Sequence, residues 1–212
     1  TWEQPVRRQS DHLADYAQAL EKLEALGVLY RCYCSRKEIA TALAAQPNPP
    51  AGPDGPLYPG TCRHRAQPPA ADAPYLLRLN VAAAMRLTGP LFWTDRAHGQ
   101  REARPDILGD IALTRRDAPA SYHLCVTIDD SLQGINLVIR GLDLFASTHV
   151  HRLLQALLEL PTPAYAHHGL LTDVDGKRLA KRADSMAIRA YREQGLSAAD
   201  VRALAFTTPR LE

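Results

Sequence analysis

Long apolar runs are missing from this chain of 212 residues, so no transmembrane helix is expected and membrane contact is not anticipated. The opening Thr-Trp-Glu-Gln-Pro carries no charged-then-apolar leader. Charge of one sign is also scarce. The 25 Lys and Arg residues against 23 Asp and Glu leave a formal net charge of +2, so any nucleic-acid contact has to come from local patches. Cysteine numbers only four, too few and too clustered for a disulfide scaffold, which suits a reducing cytoplasm. No internal repeat is visible. The first hundred residues also lack a Gly-rich phosphate loop and the strand–turn–helix opening of a nucleotide-binding α/β fold.

What is present reads as alternating helices and short strands. Ser10 is placed to cap a helix running to about Leu26, with Leu13, Tyr16, Ala17, Leu20 and Leu23 at helical spacing and Gly27 as its stop. Val28 to Arg31 reads as a strand, and Ser35 with Glu38 forms a capping box for a second helix. The proline-dense stretch Pro47 to Pro59 is a loop. Pro74 to Asn80, Leu91 to Asp95, Asp110 to Thr114, Tyr122 to Ile128 and Ile135 to Arg140 read as strands, with Asp129-Asp130 in the turn between the last two. Ser147 or Thr148 starts a helix ended by Pro161, His167 to Leu171 is a strand, and Ser185 and Ser197 cap two closing helices.

Three thiols make the first chemical constellation. Cys32-Tyr-Cys34 is followed by Tyr58-Pro-Gly-Thr-Cys62, and two thiolates in a Cys-x-Cys turn can share one soft ion with a third. The residues leave the fourth ligand open between Tyr58 and His64. Imidazole is the easier donor, because a phenol must first be pulled below its ordinary pKa of about 10. Cys125, inside an apolar segment, reads as core.

The second constellation is cationic. Gly176-Lys177-Arg178-Leu179-Ala180-Lys181-Arg182 places four cations in seven residues after turn formers. Upstream, the block from Ser121 to Gly141 ends on Arg140, at the carboxyl end of an apolar strand. Ligands of open α/β sheets bind at such strand ends. A mobile cationic loop beside a strand-end guanidinium suits a reaction that gathers phosphates and a carboxylate in one cleft.

Together these blocks resemble the class I aminoacyl-tRNA synthetases of the glutamyl type. Tyr122, Asp129-Asp130, Gly134 and Val138-Ile-Arg-Gly141 match the second half of that family's nucleotide-binding fold. Arg178-Leu-Ala-Lys-Arg182 resembles its Lys-Met-Ser-Lys-Ser loop, with Arg178 in place of the first Lys, Ala180 in place of Ser, and Lys181 retained. Cys-x-Cys followed by Tyr-x-x-x-Cys is similar to the zinc site of the short glutamyl-queuosine tRNA(Asp) paralogues, which implies Cys32, Cys34, Tyr58 and Cys62 as ligands of a structural Zn2+.

The resemblance implies an α/β fold. A Rossmann-type catalytic domain, incomplete at its N-terminus, would carry a small zinc-binding insertion and a C-terminal helical subdomain. The expected divisions are 1–31 (Rossmann portion), 32–105 (zinc insertion), 106–145 (second Rossmann half with the glutamate site) and 146–212 (helical subdomain with the cationic loop). A His-Ile-Gly-His-like turn would lie in the missing start, so this chain alone is expected to lack half of the ATP site. Thirty residues follow Arg182, too few for an anticodon-binding region, which favours the short paralogue.

The implied activity is that of a ligase. It activates L-glutamate with ATP, and with Mg2+, and transfers it to the queuosine base in the anticodon of tRNA(Asp). Lys181 is the implied catalytic residue, with Arg178 and Arg182 beside it on ATP. Tyr122 and Arg140 are the implied glutamate contacts. Arg63, Arg65, Arg189 and Arg192 are candidate RNA contacts, and a cytoplasmic monomer is expected. Two rival readings are a truncated synthetase charging tRNA(Glu) and a non-catalytic, zinc-stapled RNA-binding fragment.

Overall fold

The computed structural model of the protein describes residues 4–53, 55–65, 67–172, 179, 187–207, 210 and 211. The chain divides into two compact units, residues 1–138 with 146–165, and residues 139–145 with 166–212.

The first unit opens on a short 3-10 turn, Gln9–Asp11, followed by α1, Leu13–Ala25. The helix starts later than a Ser10 cap predicts. His12 occupies the cap position without a side-chain bond, and the Ser10 hydroxyl donates to Asp11. Tyr16, Ala19 and Leu23 form the buried stripe, and Gly27 turns the chain at φ +68°. Strand β1, Leu29–Cys32, comes next, then α2, Arg36–Ala44, held by the predicted capping box between Ser35 and Glu38. The proline-rich loop contains a minimal hairpin, β2 (Ala51–Gly52) with β3 (Gly55–Pro56).

Strand β4, Leu76–Leu79, pairs antiparallel with β1, so Cys32 faces Leu76 across a two-stranded ribbon. Helix α3, Val81–Thr88, follows at once, capped by Asn80. Strands β5 (Phe92–Asp95) and β6 (Gly99–Glu102) form a hairpin. The expected strand Asp110 to Thr114 is reduced to a single antiparallel bridge, Arg78 to Ala112.

The largest correction concerns residues 122–132. The expected strand Tyr122 to Ile128 is an α-helix, α4, Tyr122–Leu132. Asp129 and Asp130 lie within it rather than in a turn between strands. The buried residues Leu124, Cys125 and Ile128 follow helical spacing, so the β-favouring Val, Thr and Ile side chains are overridden by packing. Strand β7 is Leu137–Gly141, α5 is Ser147–Leu157, and β8 is Ala164–His168. A four-stranded sheet has the order β6-β5-β8-β7, with β5 parallel to β8 at Asp95 and Tyr165.

The core of the first unit lies among α1, α3, α4 and α5. Leu23, Val28, Leu79, Leu113, Leu124, Val150, Leu153 and Leu154 are fully enclosed there. Asp129, also buried, accepts from the Tyr16 hydroxyl at 2.8 and 3.0 Å, from Arg7 at 2.8 Å and from Gln9 at 2.9 Å. One carboxylate thereby ties the N-terminal segment and α1 to α4. Burial, with the Asp129 hydrogen bond behind it, pushes the Tyr16 phenol up to about 12.

In the second unit β9, Leu170–Leu171, pairs antiparallel with β10, Arg210–Leu211. Two helices precede β10: α6, Ile188–Glu193, and α7, Ala198–Thr207. Ser197 and Asp200 exchange the bonds of a capping box at the start of α7, as the sequence indicates. The expected Ser185 cap lies outside the described residues.

Candidate functional site

The cysteine cluster is assembled by three local structures. Cys32 ends β1, Cys34 lies two residues on, and Cys62 sits in a turn that follows the β2–β3 hairpin. The sulfurs of Cys32, Cys34 and Cys62 all lie within 4.8 Å of one another, and Cys34 Sγ is 3.4 Å from Cys62 Sγ. The Tyr58 hydroxyl stands on the same group, 3.3 Å from Cys32 Sγ and 3.6 Å from Cys34 Sγ. It also accepts the Cys62 backbone N–H at 2.9 Å. His64 is exposed and does not join the group.

Ordered scaffolding holds this arrangement. The Arg116 guanidinium donates to the carbonyls of Tyr33 and Cys34, at 2.6 and 3.2 Å, and clamps the Cys-x-Cys turn. Arg78 lies over the Tyr58 ring, 3.8 Å from its centroid, and donates to the Asp110 carbonyl at 2.8 Å. The buried Asp110 carboxylate accepts from Tyr30 and from Arg63, each at 2.7 Å, and from the Val81 N–H at 3.1 Å. Asp110 therefore binds β1, the residue next to Cys62 and the start of α3 at one point. Arg63, a candidate RNA contact from sequence, is committed to this internal bond.

The electrostatics of the cluster are uneven. Burial pushes the Cys34 thiol up to about 11. Burial acts on Cys62 in the same direction, but it is outweighed by hydrogen bonds from the Tyr33 backbone, Tyr58 and the other two thiols. The Cys62 thiol is thereby drawn down to about 7. Burial, and then the neighbouring thiols, hold the Tyr58 phenol protonated well above its ordinary range.

The expected glutamate contacts fall in different units. Tyr122, predicted at the start of a strand, is the first residue of α4. It is 47% exposed, with its ring edge-on to His123 and His151. Arg140 is half-buried in β7, where Nε donates to His167 at 3.1 Å and Nη2 to the Leu144 carbonyl at 3.2 Å. Arg178, Lys181 and Arg182 lie outside the described residues. Leu179, between them, bonds through its N–H to the Leu171 carbonyl at 2.9 Å. On α6, Arg189 pairs with Glu193 at 3.0 Å.

Sequence reasoning missed the supporting residues Arg78, Asp110 and Arg116. The available signal was a cation, Arg78, inside the otherwise apolar strand Leu76-Leu-Arg-Leu79, which demands a buried partner.

Comparison with known proteins places this architecture in a class. Residues 1–206 match the family described as tRNA synthetases class I (E and Q), catalytic domain. The chain belongs to that family, a family of ligases.

Among its relatives, the chain is 47% identical over 212 residues to a protein of Rhodobacter capsulatus named glutamyl-Q tRNA(Asp) synthetase, covering 96% of this chain and 76% of the relative. It is 41% identical to a protein of the same name from Nitratidesulfovibrio vulgaris, covering 91% of this chain and 59% of the relative. A protein of Magnetococcus marinus named glutamate–tRNA ligase is 36% identical, covering 90% of this chain and 39% of the relative.

Among solved structures, the glutamate-tRNA synthetase of Elizabethkingia anophelis superposes with a TM-score of 0.67 at 23% identity, covering 88% of this chain and 42% of that one. This likeness supports the α/β catalytic-domain fold. Among the described residues, no helix is long and apolar enough to cross a membrane.

Proposed function

We propose that the protein activates L-glutamate with ATP and transfers the glutamyl group to the queuosine base in the anticodon of tRNA(Asp). The observation that carries this reading is the 47% identity, across 96% of the chain, to a relative named for that reaction. In the first step a glutamate α-carboxylate oxygen attacks the α-phosphorus of ATP. The bond to the bridging oxygen breaks, and pyrophosphate leaves. In the second, a hydroxyl of the acceptor attacks the carbonyl of glutamyl-adenylate and AMP departs, leaving an ester. Both steps ask mainly for alignment of anions and neutralisation of charge.

The chain's cations divide that task. Lys181, with Arg178 and Arg182, neutralises the charge developing on pyrophosphate. Arg140 grips the side-chain carboxylate of glutamate, and Tyr122 contacts the amino acid. Mg2+, when bound with ATP, shares the phosphate charge.

The four donors Cys32, Cys34, Tyr58 and Cys62 fit a structural Zn2+. A tetrahedron with Zn–S bonds of about 2.3 Å has edges of roughly 3.8 Å. The sulfur–sulfur approach of 3.4 Å and the oxygen–sulfur approaches of 3.3 and 3.6 Å are of that size. Such an ion, closed by four protein ligands, would pin the proline loop to β1. The Cys-x-Cys turn and the proline loop, within residues 32–105, would then form the zinc-binding insertion, and the segment after β8 the helical subdomain with the cationic loop. The reaction belongs in the cytoplasm, where its tRNA is found.

The test uses the full-length gene product. Glutamate-dependent ATP–pyrophosphate exchange without tRNA is the first expected result. Transfer of labelled glutamate to tRNA(Asp) carrying queuosine, and not to tRNA(Asp) from cells lacking queuosine, is the second. Charging of tRNA(Glu) instead would replace this reading with an ordinary glutamyl-tRNA synthetase. Absence of exchange would leave a binding module.

A further inference from the structure

A cavity of about 400 Å3 opens beside the cysteine cluster, between the start of α2, strand β4 and residues 112–117. Its wall is charged with one sign. Arg36, Arg78, Arg115 and Arg116 line it against one carboxylate, Asp117. In a chain whose formal net charge is +2, four guanidinium groups around one concavity are a strong local concentration. Asp117 is already engaged, in a two-point pair with Arg115 at 2.9 and 2.7 Å. The nearby Glu38 carboxylate is held by the Ser35 backbone and side chain, which keep it below its usual range. Arg36 makes no side-chain hydrogen bond or ion pair with the described residues, although it stands at the first position of α2. Arg116 and Arg78 are anchored by backbone carbonyls, so their charge is held at the wall rather than swinging into solvent.

Like charges gathered on one concave wall repel one another, most strongly at low salt. A phosphodiester relieves that repulsion. Its anionic oxygens match the paired N–H groups of guanidinium, and no carboxylate is left free to repel it. We propose that this cavity is a docking pocket for a phosphate of the nucleic-acid backbone, built on the same segment as the cysteine cluster. The proposal rests on the reading that the acceptor is an RNA, and it names where one of its phosphates sits. The contact positions the RNA and carries no sequence information.

The experiment measures binding by fluorescence anisotropy between the full-length gene product and a labelled anticodon stem-loop of tRNA(Asp). The double variant Arg36→Glu/Arg115→Glu is compared with wild type across salt concentrations. Kd is expected to rise at least tenfold, and the slope of log K against log salt to fall by about 1 to 2, as expected when one or two phosphate contacts are lost. Arg36→Lys/Arg115→Lys should retain most of the affinity, which separates loss of charge from loss of fold. Arg101→Glu, a reversal on the exposed strand β6 outside the cavity, should change Kd less than threefold.

Unchanged affinity in the double variant, or an equal loss in Arg101→Glu, overturns the proposal. Calorimetry with inorganic phosphate provides the other arm. Phosphate binding that vanishes in the double variant, with RNA affinity intact, would make this a free-anion pocket and overturn the nucleic-acid assignment. Glutamate-dependent ATP–pyrophosphate exchange should be equal in all variants. Its absence in wild type would defeat the proposed reaction, while the RNA titration would still decide the pocket.

Discussion

The Arg78 guanidinium lies 3.8 Å above the ring of Tyr58, twenty residues away in sequence, while the hydroxyl of that ring rests on the sulfurs of Cys32 and Cys34. A cation on the face of a phenol fixes the ring plane. Arg78 is itself held by the Asp110 carbonyl, so the orientation of Tyr58 depends on a residue far from the thiols in sequence.

Metal content tests this arrangement directly. The purified protein should carry one equivalent of zinc by elemental analysis. Cys32→Ser and Cys62→Ser should abolish it, and His64→Ala should leave it unchanged. Tyr58→Phe should retain zinc after purification but release it to a chelator on the order of tenfold faster, because three thiolates remain. Zinc loss in His64→Ala with full retention in Tyr58→Phe would reverse the ligand assignment.

Asp110 should matter to stability more than its place in an irregular segment suggests. Asp110→Asn keeps an acceptor for the Val81 N–H but weakens the bonds from Arg63 and Tyr30. Urea denaturation should show a loss of about 1–3 kcal/mol, with faster zinc release, since Arg63 adjoins Cys62.

The buried pair of Tyr16 and Asp129 should give stability a dependence on alkaline pH. The Tyr16 phenol titrates at about 12 in the folded protein, above the 10.0 of a free phenol. The folded state therefore holds this proton more tightly than the unfolded chain. Its contribution is complete below pH 10 and disappears as pH rises through about 12. Tyr16→Phe should remove this component from the stability profile, and ultraviolet titration of wild type should show one phenol ionising late. Asp129→Ala, which strands the buried hydroxyl and the Arg7 charge, should cost about 3 kcal/mol.

The proposed catalytic roles separate in kinetics. Lys181→Ala should lower kcat for ATP–pyrophosphate exchange about a hundredfold or more with little change in the KM for glutamate. Arg140→Ala should raise the KM for glutamate by about 10- to 100-fold and leave that for ATP nearly unchanged, as loss of a charge-assisted bond implies.

Much of the secondary structure was legible because its signals are local. The Ser35–Glu38 box, the Ser197–Asp200 box, the stop at Gly27 and the Tyr16–Leu23 stripe depend on residues within a turn or two of one another. The thiol spacing likewise indicated a shared site, since Cys-x-Cys brings its own sulfurs together. The segment from Tyr122 to Ile128 failed for the complementary reason. Its β-branched residues favour a strand in isolation, but Leu124, Cys125 and Ile128 find their partners on α1 and α5, and only a helix presents all three to that core.

By itself, then, the amino-acid order determined the family and the capping boxes at Ser35 and Ser197, and it pointed to three thiols sharing one site, because each is carried by neighbours in the chain or by a motif. Tertiary structure brought Tyr58 rather than His64 onto the thiols, as the family resemblance implies, and it alone decided that Asp110 and Asp129 are interior hubs and that four arginines from three segments line one cavity. Those outcomes depend on which side chains become neighbours when distant segments pack. Burial then converts such proximity into strong electrostatics, by excluding the water that would screen it.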